Sequence, residues 1–355
     1  MSGSNICVFN VTTSGVTIKN LTIKNTNCGG SGGAIYFSND GTVTNCNFIN
    51  NTATGDGGAV YLFAGADIEG CNFTDNKATG KGGAIYVDGD FSNSKINSQF
   101  INNNAKNGGA IYINGAMDNV TINGCFNSND AERAGGAIFV NGQSKNNSFT
   151  AEFYDNYANQ ASGGAIFFNN LTENNSFECS FMDNYALYGG AIFFYNKAND
   201  NKFNSDFINN TAKSCGGAIF FHNTTNNNSF AGSFIGNHAL GEVDESVGNG
   251  GAITFKDTSS NNIFACDFIN NTAALNGGGV NYRHTPYNIT FNCNFINNTS
   301  PRGGGVNFFE SFENVVFNGE FIGNSASNGG AIAADNGIIE DVTFKNNYAE
   351  TGGAV

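Results

Sequence analysis

The chain has 355 residues, a net charge of −14, 34 Phe, 48 Gly, two Pro and no Trp. That acidic balance argues against nucleic acid and anionic membrane surfaces as partners. The Phe content separates the chain from disordered low-complexity sequence, although only 12% of its residues are charged.

Residues 1–31 read as an opening turn or cap. Val16-Thr-Ile18 and Leu21-Thr-Ile23 alternate apolar and polar, the period of half-buried strands. No basic and apolar stretch of a signal peptide follows Met1, and no apolar run reaches the roughly 18 residues of a membrane-spanning helix. From Gly32 onward two short signals recur. Gly-Gly-Ala-Ile/Val, with Gly-Gly-Gly-Val at Gly277 and Gly303, begins thirteen times between Gly32 and Gly352. Phe-x-x-Asn begins twelve times between Phe48 and Phe344. The Gly signals lie 23 to 28 residues apart, except for 34 between Gly216 and Gly250. A fixed period of this kind marks a repeat architecture.

Each repeat has the same internal order. A short strand such as Ile192-Phe-Phe194 follows the double Gly, then a polar turn, then a second strand of the type Phe177-x-Cys179-x-Phe181. A third short strand centres on a small residue such as Ala53, Ala78 or Ala186. Three short strands per turn and no helical periodicity predict an all-β fold, a parallel β-helix of about 13 turns. Crossovers between parallel strands favour the right-handed form. The repeats fill residues 32–355, with a surface insertion over about 238–249 that carries Glu242, Asp244 and Glu245. Because the last repeat stops at Gly352-Gly-Ala-Val355, the sequence is expected to be a fragment of a longer protein.

Stacking assigns the positions. The first-strand Ile or Val and the residue two later (Phe37, Val87, Ile113, Phe168, Phe194, Phe221, Phe255, Phe309) are expected to point inward. Phe48 and its equivalents would form an inner aromatic column. Asn51, Asn76, Asn103 and their successors would take a left-handed backbone angle and link their amides into an Asn ladder. The double Gly would make the next corner. Five cysteines, Cys46, Cys71, Cys179, Cys266 and Cys293, occupy the small inward position two residues before Phe, which reads as core rather than as disulfide or metal chemistry.

These phased tetrapeptides resemble the repeats of chlamydial polymorphic membrane proteins and of the adhesin-like surface proteins of methanogenic archaea, over roughly residues 20–355. The resemblance implies an extracellular, cell-surface β-helical stalk or passenger. Its implied partner is a host or microbial cell-surface glycan or protein, and the full-length protein would add an anchoring domain. Lateral self-association of such rods is a further expectation.

A row of aromatics offers a binding surface. Tyr36, Tyr61, Tyr86, Tyr112, Phe139, Phe167, Phe193 and Phe220 occupy the outward position of the first strand on eight consecutive turns. Exposed, they would form a stripe able to stack on sugar rings. The competing reading is a row that strengthens strand pairing or is covered by another part of the protein. For an enzyme, the strongest carboxylate pair is Asp155 with Asp183, at equivalent turn positions where Asn50, Asn102 and Asn209 also serve. His222, His238 and His284 are scattered in polar loops, and the acidic insertion lacks a Ca²⁺-loop pattern. No catalytic residue, metal or cofactor is therefore assigned. An adhesive surface segment is the favoured reading, ahead of a polysaccharide lyase or hydrolase and of a passive spacer.

Overall fold

The computed structural model describes residues 7–242, 248–340 and 342–355. They form an all-β parallel solenoid of about 13 turns, divided into two compact units, Met1–Leu171 and Thr172–Val355.

Within the first unit, three sheets of parallel strands stack turn on turn. The first sheet contains Phe9–Val11, Ile35–Phe37, Val60–Leu62, Ile85–Val87, Ile111–Ile113, Ile138–Val140 and Ile166–Phe168. Equivalent residues pair without slippage, as in Val60↔Ile85↔Ile111↔Ile138↔Ile166. The second sheet holds the longest strands, among them Ala66–Thr74, Lys95–Ile101, Thr121–Asn127 and Ser148–Tyr154. The third consists of two-residue strands such as Thr52–Ala53 and Lys77–Ala78, and ends in Tyr157–Ser162. Residues 9–28 already pair in register with the next turn, with Phe9↔Ile35, Ile18↔Val43, Ile23↔Phe48 and Cys28↔Ala53.

The second unit repeats the plan. Its first sheet runs through Ile192–Phe194, Ile219–Phe221, Ile253–Phe255, Val280–Tyr282, Val306–Phe308 and Ile332–Ala333. Across the long interval the register Ile219↔Ile253 and Ala239↔Ala273 is intact. The additional residues therefore leave the ladder after Ala239 and rejoin it by Asn249, which bridges Asn276. Of the insertion's acidic residues, Asp244 and Glu245 lie outside the described residues.

In-register parallel pairing dictates the core. Phe48, Phe73, Phe100, Phe126 and Phe153 stack face to face with centroids 4.7–4.9 Å apart in the first unit. Phe181, Phe207, Phe234, Phe268, Phe295 and Phe321 do the same in the second. All eleven are buried. The five inward cysteines are buried too. One expectation for the core fails. Phe309 is 55% exposed, and the inward place belongs to Phe308, the residue two after Val306.

The corners divide their labour differently from the sequence expectation. The left-handed angle falls one residue before the motif Asn, at Asn50 (φ 51°), Asp75 (φ 57°), Asn102 (φ 55°), Ser128 (φ 53°) and Asp155 (φ 50°). That reversal turns the next side chain inward, so Asn51, Asn76, Asn103, Asn129 and Asn156 are buried. Asn76 shows the rung. Its Nδ2 donates to Phe48 O and to Asn103 Oδ1, both at 3.0 Å, while its backbone N–H donates to the same Oδ1 at 3.1 Å. Only a short amide supplies both donor and acceptor at that reach. This explains why the third motif position varies among Asn, Asp, Ser and Gly whereas the fourth does not.

At the Gly corner, Gly57 has φ +69° and Gly58 sits where a Cβ would come 2.0 Å from Gly83 O. The first glycine is needed for its angle and the second for its missing side chain.

Candidate functional site

The aromatic row exists, but it is not an exposed stripe. In the first unit, Tyr36, Tyr61, Tyr86, Tyr112, Phe139 and Phe167 stack in sequence with centroids 4.5–5.5 Å apart. In the second unit Phe193 and Phe220 stack at 5.2 Å. Tyr86, Tyr112, Phe139, Phe167, Phe193 and Phe220 are only 3–8% exposed, and Tyr36 and Tyr61 are half-buried. The cause is the repeat itself. Pairing at about 4.8 Å brings consecutive rings to stacking distance, so each interior ring gives both faces to its neighbours.

Polar groups close off the ring edges. Tyr61 and Tyr86 both donate to the Asp88 carboxylate, at 2.8 and 3.1 Å, and Lys81 Nζ lies 4.6 Å from the centre of the Tyr112 ring. Burial first, and then Asp88, pushes the Tyr61 and Tyr86 hydroxyls well above the usual phenol range. Tyr112 is pushed up to about 12, again by burial first and then by Asp56. In the second unit Tyr188 leans on Phe193 and Phe220. No flat ring face is left exposed along most of the row.

Asp155 and Asp183 each occupy the left-handed turn position, at φ 50° and 56°. This is the role filled elsewhere by Asn50, Asn102 and Asn209, and it gives neither carboxylate a reason to act as acid or base. The histidines stay apart. His238 Nδ1 lies 2.6 Å from Thr272 Oγ1, and His284 Nδ1 lies 3.1 Å from Glu310 Oε1. Burial lowers the pKa of His238, and the His284 contact lowers that of Glu310. Among the cysteines, Cys7 and Cys28 are joined by a disulfide. Cys266 and Cys293 face each other as free thiols with sulfurs 4.0 Å apart.

Two features escaped the sequence reading. A second buried ladder, Asn175–Asn201–Asn228–Asn262, supports the corner before the second sheet in the second unit, with amide-to-amide bonds of 3.0–3.1 Å. Its signal was present as the pairs Asn174-Asn175, Asp200-Asn201, Asn227-Asn228 and Asn261-Asn262, whose first members all have φ of 53–57°. The accessible aromatics were also missed. Phe63, Tyr195, Tyr287 and Phe309 are 49–55% exposed, and three of them directly follow the inward end of a first-sheet strand.

Residues 45–62, 70–88 and 204–222 match the profile of the Chlamydia polymorphic membrane protein repeat. Three short segments of the chain are thus similar to polymorphic membrane protein repeats. All three matched segments contain a ladder Asn, a double-Gly corner and a complete first-sheet strand, for example Asn51, Gly57-Gly58 and Val60–Leu62. Each matched segment is therefore one corner-to-strand unit of the solenoid. No curated protein and no solved structure matches the chain. The repeat family and the solenoid fold fit a surface, adhesin-like passenger.

Proposed function

We propose that this chain is an adhesive, non-enzymatic segment of a cell-surface protein, a stiff solenoid that presents outward side chains and loops to a glycan or protein on another surface. The observation that carries this reading is the coincidence of segments similar to polymorphic membrane protein repeats with solenoid turns whose recurring chemistry is spent on structure. The Asn amides bond to one another, the Phe rings fill the core, and the glycines make corners. What differs from turn to turn is the outward surface, and variation there changes a ligand without disturbing the fold.

The test is retention of the purified chain on microbial and animal cell surfaces and on a panel of polysaccharides, with new reducing ends and unsaturated sugars read in the same wells. Retention without products is the expected result. Products above background would replace the adhesive reading with an enzymatic one, and absence of both would leave a spacer.

A further inference from the structure

Positive charge is scarce in this protein, with 15 Lys and Arg against 29 Asp and Glu, yet one column of the second unit gathers it. The position just after the inward end of each first-sheet strand is Tyr195, His222, Lys256, Arg283 and Phe309 on five successive turns. The backbone bonds His222 N to Phe194 O, Lys256 N to Phe221 O, Arg283 N to Phe255 O and Phe309 N to Tyr282 O hold these residues in a line. Neighbours are thus spaced by about 4.8 Å, and two aromatics bracket three basic side chains.

The groups in this column are poised outward. Tyr195 stacks on His222 at 4.9 Å and is 49% exposed, and Phe309 at the other end is 55% exposed. His222 Nε2 lies 2.7 Å from Lys256 Nζ. Burial and the Lys256 charge both lower the pKa of this histidine, so the neutral ring accepts from the ammonium and fixes its direction. The nearby carboxylates already have partners, although Glu310 lines the same cleft and Asp257 adjoins Lys256. Glu310 accepts from Thr285 N at 3.0 Å and contacts His284, and Asp257 accepts from Thr258 N at 2.7 Å. Among the described residues, Arg283 makes no ion pair. Lys256, Arg283, His284, Phe309 and Glu310 line a cleft of about 190 Å³.

We propose that this column binds an acidic saccharide, with its carboxylate or sulfate between Lys256 and Arg283 and a ring face against Phe309. The proposal rests on the adhesive reading and gives it a location and a ligand class. A guanidinium fork without a protein partner matches a planar or tetrahedral oxyanion. An exposed flat ring beside it accepts the apolar face of a sugar. The chain's overall negative charge opposes any polyanion, so local recognition of the saccharide must outweigh general repulsion.

The test uses the whole chain on surfaces coated with heparin, hyaluronan, dextran and poly-glutamate, and on intact cells. Heparin and hyaluronan separate sulfate from carboxylate as the anchoring group. Expected are salt-sensitive retention on at least one acidic saccharide and none on dextran. Lys256→Gln/Arg283→Gln should weaken that retention by about tenfold or more, as loss of two charge-assisted contacts implies. Phe309→Ala should weaken it further, and Lys19→Gln/Lys24→Gln, an equal charge change in the other unit, should not. An unaltered far-ultraviolet spectrum shows that the variants fold. The proposal is overturned if both double variants lose binding equally, if dextran is retained as well, or if poly-glutamate binds as tightly as hyaluronan. Retention on cells without retention on acidic saccharides would sink this site and leave the adhesive reading standing. Loss of both would sink the two together.

Discussion

Asn103 and its neighbour Asn102 separate the two roles that the corner assigns to adjacent asparagines. The Asn103 amide is fully buried and makes four hydrogen bonds. Its Nδ2 donates to Phe73 O and to Asn129 Oδ1, and its Oδ1 accepts from the backbone N–H and the Nδ2 of Asn76, all at 3.0–3.1 Å. Substitution by Ala strands the buried Asn76 N–H and removes a second hydrogen bond from Phe73 C=O, which the strand register also pairs with Ile101 N–H. At roughly 1–3 kcal/mol for the unsatisfied group and about 1 kcal/mol for the lost second bond, Asn103→Ala should cost about 2–4 kcal/mol. Asn102, by contrast, is exposed, and it contributes a tolerated left-handed angle of 55° and one solvent-exposed hydrogen bond from its Nδ2 to Asp75. Asn102→Ala should therefore cost only about 1–2 kcal/mol, and Asn102→Gly close to nothing. Urea unfolding followed by circular dichroism measures the global loss. Because solenoids can open locally, hydrogen exchange at the Asn76 amide is the sharper assay. It should accelerate strongly in Asn103→Ala and remain near wild type in Asn102→Gly. Equal destabilisation by the two Ala variants, or an Asn76 amide that stays protected in Asn103→Ala, would refute the assignment.

Two further expectations follow from other elements. Gly58→Ala would drive a Cβ to 2.0 Å from Gly83 O and 2.6 Å from Lys77 C, so the backbone of two turns must shift, at about 3 kcal/mol or more. Gly30→Ala meets nothing within 4 Å at an unstrained angle and should leave the melting temperature almost unchanged. Acid should weaken the fold through His238 and His222, whose pKa values burial holds below the ordinary 6.5. The unfolded chain then binds more protons than the folded one, so stability falls as pH drops through about 6.5. His238→Gln with His222→Gln should flatten the melting temperature between pH 7 and 5.5, and a pH profile identical to wild type would show that these rings do not carry the effect.

Much of this architecture was written in local chemistry. The double Gly, the Phe three residues before Asn, and the period of about 26 residues recur so regularly that strand order, inward positions and the Asn ladder could be placed without coordinates. Stacking in register copies one turn's contacts onto the next, so reading one repeat reads nearly all of them. Displacement by a single residue was harder to resolve. Phe308 and Phe309 are the same side chain in adjacent places, and the backbone alone sends one into the core and leaves the other half-exposed. The left-handed angle of Asn102 beside the buried amide of Asn103 is a distinction of the same kind. The sequence also could not tell whether the outward row from Tyr36 to Phe220 was a surface. Alternation identifies which side of a strand a residue occupies, whereas exposure depends on ring spacing and on what the flanking corners bring alongside. Here the stacking distance and the groups at Lys81, Asp88 and Tyr188 bury the row. The alignment of His222, Lys256 and Arg283 between two exposed aromatics likewise depends on tertiary structure. These residues lie 34 and 27 positions apart in sequence, and only the solenoid stacks them on consecutive turns.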